Sequence, residues 1–169
     1  MATIITDLKE SFRRGNIYIQ LIYINVGVFI FTTLTGVILQ LFNRSLGGVF
    51  EWLELPASLP RFIIQPWSVL TYMFMHAGVL HILFNMLWLY WFGALFLNFF
   101  SARHLRGVYI LGGICGGLLY MTAYNIFPYF RPMTEYSFML GASASVLAIV
   151  PPIGNLTTRY VFSFLEPYA

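Results

Sequence analysis

Residues His76 to Asn85 read HAGVLHILFN and lie inside 35 consecutive residues, Pro66 to Phe100, that contain no Asp, Glu, Lys or Arg. As one helix, that uncharged run would measure roughly 52 Å. This far exceeds a hydrocarbon core of about 30 Å, so part of it must be loop or interfacial turn. Gly78 marks the break. The helix is expected from Val79 to Asn98, with His81 and Asn85 in its first two turns and His76 just before it.

The rest of the 169 residues fits that setting. Hydrophobic residues make up 59% of the chain, aromatics 19% and charged residues 9%, against about 25% charged in an ordinary soluble domain. The composition is that of an integral membrane protein. The net charge of +3 comes from nine Lys and Arg scattered outside the apolar runs. They read as topology signals, and with no basic stripe there is no sign of a nucleic-acid partner. Cys115 is the only cysteine and lies in an apolar run, which excludes an internal disulfide.

Working outward, Ile17 to Phe42 form an uncharged run of roughly 39 Å as a helix, long enough to span with some tilt. It is too long for a signal-peptide core and has no small-x-small cleavage site after it, so it reads as an uncleaved first span. The loop NRSLGGVFEWLELPASLPRFIIQ alternates Phe50, Trp52, Leu53 and Leu55 with Glu51, Glu54, Gly and Pro. It cannot span, but it suits the interface as an amphipathic piece. Gly107 to Phe127 make a third span, with Gly112/Gly116 and Gly113/Gly117 as small-xxx-small pairs that permit close helix contact. MLGASASVLAIV starts a fourth helix, which Pro151-Pro152 is expected to stop. The fold class is thus all-α: a polytopic transmembrane bundle with three full spans and the start of a fourth.

Basic residues set the orientation. Lys9, Arg13, Arg14, Arg103 and Arg106 fall on one side, and Arg44, Arg61 and Arg131 on the other, five against three. The N-terminus is expected in the cytoplasm. His81, Asn85 and Ser143 then share the outer half of the membrane.

Polar side chains at that depth are costly and by default mark function. The bland alternative is that His81 and Asn85 hydrogen-bond neighbouring helices as packing glue. A metal site is poorly served: His76 and His81 are five residues apart, about 140° on a helical wheel, where ligand pairs want i, i+4. His81 and Asn85 do have that i, i+4 spacing and share a face. With GASAS at similar depth they supply the parts of an oxyanion site beside a serine. Gly141 and Ala142 let other backbone approach, and a serine in the first helical turn sits beside free N–H groups. Ser143 and Ser145 have their own bland reading, as small residues in a helix contact.

WSVLTYMFMHAGVLHILFNMLWLYWFG resembles the rhomboid intramembrane serine protease family, whose pattern is His, four residues, His, three residues, Asn-Met, and later Phe-Gly. GGICGGLLY and GASAS are also similar to that family, so the resemblance covers approximately Ile17 to Val150. It implies a rhomboid-like six-helix core, cleavage of transmembrane protein substrates near the outer face of the lipid bilayer, and no metal or organic cofactor. It also implies Ser143 as nucleophile and His81 and Asn85, with the serine backbone amide, as the oxyanion hole. His76 becomes a structural histidine at the head of the second helix, and Gly141 a motif glycine.

Two departures follow. Ala144 stands where the family usually has Gly. The family's general base is a histidine on the sixth helix, and IGNLTTRYVFSFLEPYA after Val150 offers neither a span nor a histidine. His104, between Arg103 and Arg106, falls in an expected cytoplasmic loop. The expectation is therefore an incomplete rhomboid-like membrane domain over 1–150 in a bacterial inner membrane, and a 151–169 tail that is cut or out of frame. As it stands such a chain would be inactive. The alternative is a non-catalytic rhomboid-like protein that binds transmembrane segments. A transporter or channel fits less well, because nothing resembles paired discontinuous helices around an ionisable pathway.

Overall fold

The computed structural model describes Thr6, Phe12, residues 15–43, Gly48 and residues 50–154. The basic residues Lys9, Arg13, Arg14 and Arg44, and the 155–169 part of the tail, lie outside the described residues. Among the described residues the main α-helices, in chain order, are α1 (Ile17–Leu41), α2 (Leu59–Ile64), α3 (Ser68–Thr71), α4 (Val79–Phe96), α5 (Ala102–Ile126) and α6 (Ser143–Leu147). Of these, α1, α4 and α5 are long and apolar enough to cross a membrane. The fold is an all-α polytopic bundle.

α1 buries only Leu21 and Asn25; Ile17, Tyr18, Ile22, Val26 and Phe29 pack half-buried against the core, and Ile30, Phe31, Leu34 and Ile38 face outward, as a helix solvated by lipid can. Asn25 is fully buried, and its Nδ2 donates to the Leu21 carbonyl at 2.8 Å and to the Tyr109 hydroxyl of α5 at 3.2 Å. That pair ties the first span to the third. α4 begins at Val79 as expected, after an extended Gly78 at φ −175°.

α5 departs from the sequence reading. The segment SARHLRG was expected as a loop, yet the helix starts at Ala102, five residues before Gly107. Leu105 and Tyr109 lie one turn apart and are fully buried, so the core pulls this turn into the helix. Ser101 precedes it, with its Oγ 2.9 Å from His104 Nδ1. The charges of Arg103 and Arg106 stay exposed at the start of the helix.

Further along α5 the glycines divide. A methyl group at Gly112 or Gly116 would overlap the Cβ of Ala148 or Ala144. A methyl at Gly113 would stand 2.6 Å from Ser145 Oγ, and one at Gly117 2.7 Å from Leu55 Cδ2. The tight contacts of one pair are therefore with the α6 segment, and those of the other are with both α6 and the cap. The double proline also needs correcting. The α6 helix breaks at Ala148 and Ile149, and helical backbone resumes over 150–154. Pro151 and Pro152 have no N–H for the carbonyls of Leu147 and Ala148, so they interrupt the ladder and then open a new turn, a position proline tolerates.

Residues 50–78 fold into a cap at the end of the bundle where α1 stops and α4 starts. Its order comes from long-range polar bonds. Two short strands, β1 (Leu55–Pro56) and β2 (Phe138–Met139), pair antiparallel with Leu55 opposite Met139. Asn125 Nδ2 donates to the Ala57 carbonyl at 2.9 Å, Ser58 Oγ to Glu135 at 2.9 Å, and Thr71 Oγ1 to the Leu53 carbonyl at 2.7 Å. The exposed faces of Trp52, Leu59, Ile63, Ile64 and Trp67 keep the interfacial character read from the sequence.

Candidate active site

The first two turns of α4 present His81 and Asn85 on one side. Asn85 is buried, and its Nδ2 donates to the His81 backbone carbonyl at 2.9 Å. One amide hydrogen is thereby committed, fixing the group beside the His81 turn, and the second is left for another acceptor.

The turn before α6 is shaped to meet His81. Gly141 has φ +120°, a conformation side-chain-bearing residues rarely adopt. A Cβ there would lie 2.8 Å from both Cε1 and Nε2 of His81. The imidazole edge thus rests on the bare Gly141 backbone. Gly141 was expected to admit other backbone, but what approaches it is a side chain, the His81 ring. The Gly141 backbone N–H donates to the Tyr72 carbonyl at 2.9 Å.

His76 sits behind this contact, almost fully buried. The Ala142 N–H donates to its Nε2 at a long 3.5 Å, and its ring meets His81 edge-on with centroids 5.2 Å apart. The two histidines do not stand 140° apart as on a helical wheel, because His76 precedes the helix and the extended Gly78 turns it back. Even so, among the described residues no three His, Cys, Asp or Glu side chains gather as a metal site would need. His76 precedes the second span, and burial, helped by the neighbouring His81, pushes its pKa down to about 4. It is neutral near pH 7, with Nε2 free to accept and the ring proton on Nδ1.

The two serines of GASAS part company. Ser145 is fully buried against α5, its hydroxyl without a hydrogen-bond partner. Ser143 lines a cavity of about 350 Å³ with His81 and Asn85, walled by Leu80, Phe84, Trp88, Val146 and Leu147. Ser143, His81 and Asn85 are therefore brought together, and Gly141 and His76 support them. Ala144, the departure from the family pattern, faces Gly116 across the helix contact. His104 is remote: it lies twelve residues before Gly116 on α5, roughly 18 Å along the axis.

Tyr72 escaped the sequence reading. It is fully buried, its carbonyl accepts from Gly141, and its hydroxyl donates to the Gly113 carbonyl at 2.6 Å. Burial pushes its phenol up to about 12, so it remains a donor. One residue thus fastens both the Gly141 turn and α5. The only signal was a phenol in an apolar run opposite a glycine-rich helix.

The sequence pattern described as the Rhomboid domain matches residues 64–153, more than half the chain. The chain belongs to the rhomboid family. The match runs from the end of α2 through α4, α5 and α6, and so contains every residue of the cavity wall. Rhomboids include intramembrane serine proteases and work on transmembrane substrates within the bilayer, in keeping with the three membrane-length helices. Among curated proteins none matches this rhomboid chain.

Proposed function

We propose that this cavity is the reaction site of an intramembrane serine protease, with Ser143 as nucleophile. The observation that carries the proposal is the shared wall: Ser143, His81 and Asn85 border one cavity at the end of the bundle where α4 begins. Ser143 Oγ attacks the carbonyl carbon of a peptide bond in a transmembrane substrate, and its proton passes to a base. Negative charge then develops on the former carbonyl oxygen. His81 through a ring N–H and Asn85 through its uncommitted amide hydrogen donate to that oxygen, strongest in the transition state. The apolar walls Leu80, Phe84 and Trp88 keep bulk water and its dielectric away from these donors. With the N-terminus in the cytoplasm, the site lies toward the outer face. A reporter fused after Asn43 should then read as extracytoplasmic, and one after His104 as cytoplasmic; the reverse pattern removes the site from that face.

A second reading is a rhomboid that binds transmembrane segments without cutting them, and it turns on where the described histidines stand. The 169 residues hold three: His76 is bonded to Ala142, His81 is assigned to the oxyanion, and His104 is remote. The family base would stand on a further helix. Expressed as these 169 residues, the protein should react weakly with a fluorophosphonate probe. Robust labelling abolished by Ser143→Ala would mean that a group already here activates the serine. With the family's remaining helices and histidine supplied, Asn85→Ala should lower turnover by about 10² with little change in substrate affinity. If Asn85 is packing glue, the same variant loses about 0.6 kcal/mol of stability and keeps its turnover per folded molecule.

A further inference from the structure

The cap carries a second cavity, about 300 Å³, bordered by Glu51, Trp52, Arg61, Ile64, Gln65 and Phe138. It shares no residue with the Ser143 cavity. Its charges come as an opposed pair: Arg61 Nη1 stands 3.8 Å from Glu51 Oε2, and the two side chains are 46% and 47% exposed. A pair so long and open holds little energy, so a ligand can insert between its members at small cost. The surroundings, by contrast, are fixed. Gln65 is buried, and its Nε2 donates to the carbonyls of Glu51 and Glu54, each at 3.1 Å. The Arg61 guanidinium lies 5.1 Å over the Phe138 ring. Trp52 stacks on Trp67 with centroids 5.9 Å apart, and Trp67 Nε1 donates to the Trp52 carbonyl at 2.8 Å.

The position of this cavity indicates what reaches it. The cap lies at the ends of membrane-length helices, and its α2 turns Ile63 and Ile64 outward at 77% and 64% exposure. Tryptophans and exposed aliphatic residues beside a charged cleft are the marks of the headgroup level. We propose that the cleft binds a phosphatidylethanolamine headgroup, its phosphodiester on Arg61 and its primary ammonium on Glu51, with acyl chains along Ile63 and Ile64. The charges choose among lipids. An anionic headgroup would meet Arg61 but leave Glu51 facing like charge. Negative charge is already crowded there, since burial and Glu51 together push the Glu54 carboxyl up. A choline headgroup has no N–H to donate to the carboxylate, whereas a primary ammonium has three.

Native mass spectrometry of the detergent-solubilised protein tests this without reference to Ser143. The protein is titrated separately with dioleoyl phosphatidylethanolamine, phosphatidylcholine and phosphatidylglycerol. The ethanolamine lipid should bind tightest and the glycerol lipid weakest. Arg61→Gln and Glu51→Gln should each weaken ethanolamine-lipid binding by about tenfold, the loss of one charge-assisted hydrogen bond, with helicity unchanged by circular dichroism. Equal binding of the three lipids by the wild-type protein, or tighter binding of phosphatidylglycerol, overturns the proposal whatever the variants do. Soluble phosphoethanolamine at millimolar concentration should not displace the lipid. Displacement would mark a site for a small zwitterionic phosphate and sink the lipid assignment.

Discussion

Where α6 meets α5, Ala144 and Ala148 stand against Gly116 and Gly112, and no methyl group could be added. Where α6 meets α4, large side chains stand around about 350 Å³ of open space. A helix of five residues, Ser143–Leu147, serves both sides. Its tight side has neither room nor polar exchange, and Ser145 is spent there as a small residue. Its open side carries Ser143. The contrast separates holding from reacting: the glycine–alanine contact fixes α6, so the Ser143 hydroxyl one residue before Ala144 is displayed without being packed. Ala144 belongs to the holding side, which gives the family's usual small residue after the serine a packing reason here.

The largest expected effect falls at the joint between the two sides, on His76. Its folded value of about 4 lies below its ordinary 6.5. Between those values the unfolded chain takes up a proton that the folded chain refuses. Stability is therefore full above about pH 6.5, is lost as pH falls, and levels off below about 4, with up to about 3 kcal/mol at stake. Thermal unfolding in detergent at several pH values should show this slope in the wild type. His76→Gln, which keeps an acceptor for Ala142, should flatten it. An unchanged slope in the variant would put the titrating group elsewhere.

Exchanging methyl groups across the tight side gives the next effect. Gly116→Ala drives a Cβ into that of Ala144 and should cost about 2 kcal/mol by overpacking. Adding Ala144→Gly removes the opposing methyl and should restore most of the loss. If the double variant is no better than the single one, these two residues do not meet as described. The smallest effect belongs to Ser145→Ala. Its hydroxyl is buried without a partner, so the change should leave stability equal or raise it by up to about 1 kcal/mol. A large loss would break the division between the two serines.

Much of this was readable beforehand, for identifiable reasons. Uncharged runs of membrane length announce spans, and an extended Gly78 stops a run too long to be one helix, so α1 and the start of α4 fell where expected. The i, i+4 spacing of His81 and Asn85 survives into the fold because both stand on one continuous helix. The His76–His81 contact was invisible, since a wheel assumes helix where the chain instead turns. The start of α5 was missed because charges on a first turn look like a loop until Leu105 and Tyr109 are seen to be buried. The cap showed its interfacial character in its alternating apolar and polar residues, but not the bonds that order it. Its bonds from Asn125 to Ala57 and from Tyr72 to Gly113 join residues 68 and 41 positions apart.

Such distances along the chain also put the parts of the site in order of time. The bond between Ala142 and His76 joins positions 66 apart. A ribosome adding 5–20 residues per second needs roughly 3 to 13 s to cover that stretch. Throughout that interval His76 and His81 have been made, but the Gly141 turn that receives the His81 ring has not. A nascent chain therefore passes through the insertion machinery, beside other newly made membrane segments, with its serine still unmade and its histidine pair unseated.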